Sequence, residues 1–256
     1  MTGQKFQELA DIMKRLRKDC PWDREQTHDS IKGATIEETY ELIEAIDLKN
    51  YDEMKSELGD LLLHILFHSV MAEEMNKFEI NDVIDSIKDK LIRRHPHVFG
   101  DVKVNGTDEI VKNWEEIKLS EGRESVLEGV PKNLPSLARA YRLQEKASKV
   151  GFDWDNKSDV WKKVIEEMDE MHEMERSGDK VKLEEELGDL FFALTNYARF
   201  LGINPENALR FTNEKFISRF SYVEKKIKES GRKMTESTLE EMDKFWEESK
   251  GRKSVQ

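Results

Sequence analysis

Five acidic residues occur twice in this chain at one fixed offset, and their types and spacing suit a hard cation. Adding 129 to Glu37, Glu38, Glu41, Glu57 and Asp60 gives Glu166, Glu167, Glu170, Glu186 and Asp189. On a helix turning about 100° per residue, Glu38 and Glu41 project about 60° apart, with Glu37 beside them. Glu57 and Asp60 repeat the i, i+3 spacing on the next helix. A short turn around Lys49 to Asp52 makes the two helices antiparallel neighbours, so four carboxylates face one groove in each copy. Two like charges about 5 Å apart repel by about 3 kcal/mol at an effective dielectric near 20. Such a groove takes up protons or binds a cation, and oxygen-only ligation favours Mg²⁺, with Mn²⁺ as a substitute, over zinc. A single EExxE run is often a solvated helix face, so the faithful repeat carries the reading. Leu58, Leu61, Leu62, Ile65 and Leu66 in one copy, and Leu187, Leu190, Phe191 and Leu194 in the other, predict that the acids lie against a buried apolar stripe.

Other candidate chemistry is sparser. Lys90 and Arg94 form a basic ridge that Lys215 and Arg219 repeat at an offset of 125. Opposite a carboxylate–metal cluster, such ridges can hold phosphate oxygens. Trp22 and Trp154, and Trp114 and Trp246, are each 132 apart, and core filling is the simpler reading of their spacing. A di-iron bundle needs Glu-x-x-His on two helices. His64 is preceded three positions earlier by Leu61, His172 by Asp169, and Glu25-x-x-His28 has no copy in the second half. His64 and His68 share a face with Glu57 and Asp60, but their counterparts are Ala193 and Tyr197, so they read as supporting or core residues. No GxxxxGK[ST] or GxGxxG motif occurs, and no nucleophilic triad recurs between the copies. Cys20 is the only cysteine, which excludes an intrachain disulfide and fits a reducing compartment.

These residues need helices to position them. Apolar periodicity predicts helices near 3–18, 30–49, 51–75, 80–94 and 108–121, then near 135–149, 157–177, 180–201, 205–229 and 237–250. Ser30 and Ser158 are candidate caps of the motif helices, Asn204 precedes Pro205 as a cap before N1, and Gly151 and Gly202 suit C′ positions. Gly122, Gly129, Pro131 and Pro135 mark a linker. The expected domains are therefore 1–119 and 136–256, joined by 120–135. The fold class is all-α, as tandem duplicated helical bundles with the acids facing inward. With 54 acidic and 42 basic residues the net charge is −12, which argues against stable binding to nucleic acid or an anionic membrane. No run approaches a membrane span and no apolar signal core follows Met1, so a cytoplasmic location is expected.

EExxE followed by ExxD on antiparallel helices, with Cys20-Pro21-Trp22-Asp23, Arg93-Arg94-His95-Pro96-His97-Val98-Phe99 and Val150-Gly151-Phe152-Asp153-Trp154, resembles the two-domain bacterial members of the MazG family of nucleoside triphosphate pyrophosphohydrolases. The resemblance spans nearly the whole chain. It implies a four-helix core around the metal site and assembly as a homodimer. It implies Mg²⁺-dependent hydrolysis of nucleoside triphosphates to the monophosphate and pyrophosphate, in nucleotide-pool cleaning or regulation. The family's metal ligands fall on Glu38, Glu41, Glu57 and Asp60, and on Glu167, Glu170, Glu186 and Asp189. Its phosphate contacts fall on Lys215 and Arg219, with Lys182 a further candidate, and its base-contacting aromatic on Trp246. Asn213 resembles a substrate-contacting position whose first-half counterpart is Lys88, which favours the C-terminal half as the main catalytic unit. Glu37 or Glu166, beside the metals, is the candidate base for the attacking water. Two alternatives stay open: a helical interaction or regulatory protein with structural Mg²⁺ sites, and a pyrophosphate or other phosphoanhydride hydrolase.

Overall fold

The computed structural model describes residues 2–106, 109–110, 113–114, 117, 121 and 124–251. Helices account for nearly all regular structure, and there is no strand among the described residues. The chain divides between Lys103 and Val104 into two compact units. Segment 104–135, read from sequence as the tail of the first domain plus the linker, thus groups with the second unit. The helix expected at 108–121 lies largely outside the described residues, although Glu109, Ile110, Asn113, Trp114 and Ile117 are helical.

The first unit contains α1 (Thr2–Asp19), α2 (Pro21–Glu25), α3 (His28–Asp47), α4 (Tyr51–Glu74), α5 (Ile80–Arg94) and α6 (Pro96–Phe99). The short α2 and α6 were not anticipated; each begins with proline at its first position, where the missing N–H has no role. Helices α3 and α4 form an antiparallel hairpin, with α1 laid on α4. Ala10 and Met13 of α1, Ile31 of α3, and Leu66, Phe67, Val70 and Met71 of α4 make the core. Lys14 pairs with Glu73 at 2.8 Å and Arg17 with Glu74 at 2.9 Å, tying α1 to the far end of α4. Arg17 also donates to the Gln26 carbonyl at 2.8 Å, fixing the chain as it enters α3.

The second unit contains α7 (Ser136–Ser148), α8 (Lys157–Ser177), α9 (Lys180–Phe200), α10 (Pro205–Glu229), a 3₁₀ turn (Met234–Glu236) and α11 (Leu239–Lys250). Helices α8 and α9 form the hairpin here, α7 packs on α9, and α10 packs on α11. Val160 and Val164 of α8 and Ala193 of α9 are buried.

The caps of the motif helices differ from the sequence reading. Thr27, not Ser30, caps α3: its hydroxyl accepts from the Ser30 N–H, and Ser30 returns a bond to the Thr27 N–H. Asn156, not Ser158, caps α8, accepting from the N–H groups of Ser158 and Asp159. Serine, threonine and asparagine are comparable caps, so the outermost one able to reach N2 or N3 sets the start. Asn50 and Asp179 cap α4 and α9. The α3–α4 turn places Lys49 at φ +53°, and the α8–α9 turn uses Gly178 at φ +75°. Gly151 and Gly202 also have positive φ, which suits the residue after a helix.

The apolar stripe beside the acids is less covered than its pattern predicts. Leu66 is buried, but Leu58 is 51% exposed and Phe191 53% exposed, with Ile65, Leu187 and Leu194 also exposed. Helices α4 and α9 are apolar on more than one side, and α1 or α7 covers only one of them. Periodicity reports that a face is apolar; it does not report what covers it.

Candidate metal centres

In the first unit, helical spacing on α3 and the reversal at Asn50 bring Glu38, Glu41 and Glu57 together, each offering an oxygen within 4.8 Å of the others. Glu57 is 5% exposed, and its Oε2 is buried with no hydrogen-bond partner among the described residues. Burial, followed by the charges of Glu41, Asp60 and Glu38, pushes the Glu57 carboxyl up to about 7. An orphaned buried oxygen among like charges fits a cation, because a cation would satisfy both defects at once. Asp60 contributes charge to this group but not a fourth close oxygen.

The second unit assembles a different subset. Glu167, Glu186 and Asp189 come within 4.8 Å of one another, while Glu170 stands beside them. Burial and the Glu167 charge raise the Glu170 carboxyl, and Lys163 opposes that rise. Lys163 is one turn before Glu167 and pairs with it at 2.7 Å and with Glu166 at 2.8 Å. Those two hydrogen bonds raise its own proton affinity. At the 129 offset its place in the first half is held by Ala34, so among the described residues the first centre has no matching cation.

The supporting shells also differ. Behind the first centre, Thr35 meets His64 Nδ1 at 2.8 Å, and His68 meets His28 at 2.7 Å through their Nδ1 atoms. Burial, His28 and His64 together lower the His68 pKa. These histidines bond to one another and to Thr35 rather than to the acids, in keeping with a supporting role. Beside the second centre lies a cavity of about 670 Å³ whose wall includes Lys163, Glu167 and Asp189, with Gln144, Trp154, Phe192 and Asn196.

The remaining sequence candidates lie on other elements. Glu37 and Glu166 are exposed on the motif helices. Lys90 sits on α5 among Phe78, Asp82, Val83, Ser86 and Ile87, and Arg94 in the last turn of the same helix. Arg219 of α10 lies 5.7 Å from the Trp246 ring of α11, which also meets Phe216 at 5.3 Å. Lys182 is exposed in the first turn of α9, and Asn213 and Lys215 are exposed on α10. Among the described residues, no hydrogen bond or ion pair joins Lys182, Asn213, Lys215 or Arg219 to the carboxylates. Lys163, Gln144, Asn196 and Arg199 were not singled out from sequence; the lysine's place one turn before Glu167 was the available signal.

Comparison with known proteins bears on both hairpins. The model of the MazG nucleotide pyrophosphohydrolase domain matches residues 26–99 and again 156–223. This chain belongs to the MazG family. The two matches cover α3 through α6 and α8 through most of α10, so both carboxylate hairpins lie within a MazG domain. A nucleoside triphosphate pyrophosphohydrolase/pyrophosphatase MazG of Thermotoga maritima is 46% identical over 255 residues, spanning 98% of this chain and 97% of that protein. A nucleoside triphosphate pyrophosphohydrolase of Escherichia coli is 45% identical over 251 residues, spanning 94% of this chain and 95% of its own length. Both alignments therefore span the two MazG segments of this chain.

Proposed function

We propose that this MazG chain hydrolyses nucleoside and deoxynucleoside triphosphates between the α and β phosphates, with Mg²⁺ as its cation. The observation that carries the reading is the second centre: a carboxylate cluster forming one wall of a cavity large enough for a small ligand. The names of the Thermotoga and Escherichia relatives support the same bond. Glu167, Glu170, Glu186 and Asp189 would hold the metal here, and Glu38, Glu41, Glu57 and Asp60 would hold it in the first half. Bound Mg²⁺ would offset the triphosphate charge and make a water more acidic.

The protein's own groups supply the rest. Glu166, held by Lys163, accepts the proton of the attacking water. The water oxygen forms the new bond to the α-phosphorus, the bond to the bridging oxygen breaks, and pyrophosphate leaves with the electron pair. Lys215 and Arg219, with Lys182 and Asn213, meet the developing negative charge. Among the described residues no hydrogen bond or ion pair joins these groups to the carboxylates, and a homodimer is part of the proposal. Pairing of the hairpins would cover the exposed Leu58 and Ile65, or Phe191 and Leu194, and complete a four-helix core. Among the described residues no helix is long and apolar enough to cross a membrane. A cytoplasmic setting without stable nucleic-acid binding, and a role in nucleotide-pool cleaning or regulation, complete the reading.

A second reading, a pyrophosphate or phosphoanhydride hydrolase, draws on the word pyrophosphatase in the name of the Thermotoga relative. Product analysis with ATP or dGTP and Mg²⁺ decides between them. Monophosphate and pyrophosphate are expected; nucleoside diphosphate with orthophosphate would overturn the proposal.

A further inference from the structure

The α3–α4 hairpin is closed at its open end by a contact that one proton controls. His28 begins α3, His68 lies toward the end of α4, and both are half-buried. Their Nδ1 atoms are 2.7 Å apart, their rings are 4° from parallel, and their centroids are 5.0 Å apart. The centroid separation exceeds the nitrogen separation by the breadth of a ring, so the rings meet edge to edge in one plane. Each lone-pair direction therefore points at the other nitrogen. A shared proton suits that distance. A metal ion does not: nitrogens about 2.0–2.1 Å from a zinc between them would stand about 4 Å apart.

Thr35 decides which ring holds the proton. Its Oγ1 lies 3.2 Å from the Ile31 carbonyl oxygen, which can only accept, so the hydroxyl donates there. The same Oγ1 must then accept from His64 Nδ1 at 2.8 Å and, by a longer contact of 3.5 Å, from His68 Nε2. With its proton on Nε2, neutral His68 has a bare Nδ1, and His28 donates to it. A proton added at His28 Nε2 leaves that donor in place. A proton added at His68 Nδ1 sets two N–H groups against each other.

The charged groups around the pair are engaged elsewhere. On α3, Asp29 feels the His28 charge but pairs with Lys32 at 2.8 Å. From α1, Lys14 and Arg17 pair with Glu73 and Glu74 of α4. Arg17 also bonds to the Asp23 carbonyl of α2 and to the Gln26 carbonyl. Arg24 of α2 reaches the Lys18 carbonyl, and α5 supplies the apolar Ile80. Among the described residues the charges acting on His68 are those of His28 and His64. Burial, then those two charges, lower the His68 pKa from its ordinary 6.5. Its contribution to stability is therefore fully present above about 6.5 and is lost as pH falls through the lowered value.

We propose that the His28–His68 bond is an acid-releasable fastener of the first unit: protonation of His68 at Nδ1 parts the rings and frees the start of α3 from α4. The second hairpin has no imidazole at these positions. At the 129 offset His28, Thr35, His64 and His68 become Lys157, Val164, Ala193 and Tyr197, and Tyr197 packs on Trp161 at 4.9 Å. An aromatic contact closes that hairpin, so mild acid loosens one half of the chain and not the other.

The test uses the full chain in EDTA and reads local opening, because Glu57 at the other end of the hairpin responds to acid in the opposite sense. Amide hydrogen exchange, corrected for its intrinsic pH dependence, is compared at about pH 7.5 and about pH 5. Peptides from 20–35 should exchange about 5-fold faster at the lower pH, the scale of losing one hydrogen bond, and peptides from 152–164 should not. His28→Asn should abolish the difference, since its amide can donate to neutral His68 and turn over to accept from the charged ring. Imidazole nitrogen NMR of the wild type, which needs no variant, should show His28 protonated at Nδ1 and His68 at Nε2 at about pH 7.5. No acceleration, equal acceleration in both hairpins, an acid response that survives in folded His28→Asn, or a proton on His68 Nδ1 at neutral pH would each overturn the proposal.

Discussion

The two hairpins of this MazG chain carry the same acids on the same spacing, yet they solve the crowding of those acids differently. The first converges Glu38, Glu41 and Glu57, and leaves Glu57 to hold a proton up to about pH 7. The second converges Glu167, Glu186 and Asp189, and pairs the Lys163 ammonium with Glu167. The first backs its centre with a histidine–threonine network and a filled core; the second backs its centre with a cavity. A carboxylate motif therefore specifies a place for a cation, while the surrounding residues decide whether anything else can enter.

The comparison is most exposed to activity measurements. Glu167→Gln or Glu170→Gln should lower kcat/KM for ATP on the order of 10²–10³-fold, the scale of losing a group that stabilises the reacting charge. Glu38→Gln or Glu41→Gln should change it by less than about 2-fold, within the small effects expected away from the working site. Equal losses in both halves would make the halves equivalent. If Glu167→Gln abolishes a partner interaction but no turnover exists in wild type, the interaction-protein reading takes over.

Packing gives the next largest contrast. Met13→Ala in the filled half should cost about 2–5 kcal/mol in denaturant unfolding. Phe152→Ala, at an exposed rim position, should change stability by about 0.5 kcal/mol or less. A large loss from Phe152→Ala would mean the cavity region is core after all. Lys163→Met should then lower stability in EDTA by roughly 1 kcal/mol near pH 8, since the second acids lose their internal cation. Saturating Mg²⁺ should recover most of that loss, and a deficit that persists with Mg²⁺ would assign Lys163 a packing role instead.

The smallest effect concerns pH. Because the folded Glu57 carboxyl lies near 7, above its ordinary 4.5, its contribution is fully present below about pH 4.5 and is lost as pH rises through 7. Glu57→Gln should therefore flatten the decline of the metal-free first half between those values, read by thermal unfolding in EDTA. A decline unchanged by the substitution would place the strain elsewhere.

What the sequence made legible follows from this asymmetry. Repetition singled out the acids and the hairpins, since those recur at one offset. The same filter hid Lys163, Gln144, Asn196 and Arg199, whose partners at the offset or in the matching helix differ in type. Gln144 and Asn196 lie on different helices and form no local motif, so only the fold brings them to one cavity. The basic ridges did repeat, but repetition said nothing of their distance from the acids, and within one chain they remain on α5 and α10. The covering of the apolar stripe failed as an expectation for a similar reason: the pattern marks Leu58 and Phe191 as apolar, and both are exposed.

The caps have a use beyond closing helix ends. Glu38 stands 11 residues after Thr27, and Glu167 stands 11 after Asn156. Glu57 stands 7 after Asn50, and Glu186 stands 7 after Asp179. Each cap is thus a zero mark from which the chain counts to a ligand. One residue added between mark and ligand would swing every later side chain by about 100° and send the acid out of its groove. The ruled stretches are 27–41 and 50–60, then 156–170 and 179–189, where the chain can accept substitutions but has no freedom to change length. The turn joining α9 to α10 lies outside them and carries no such measure.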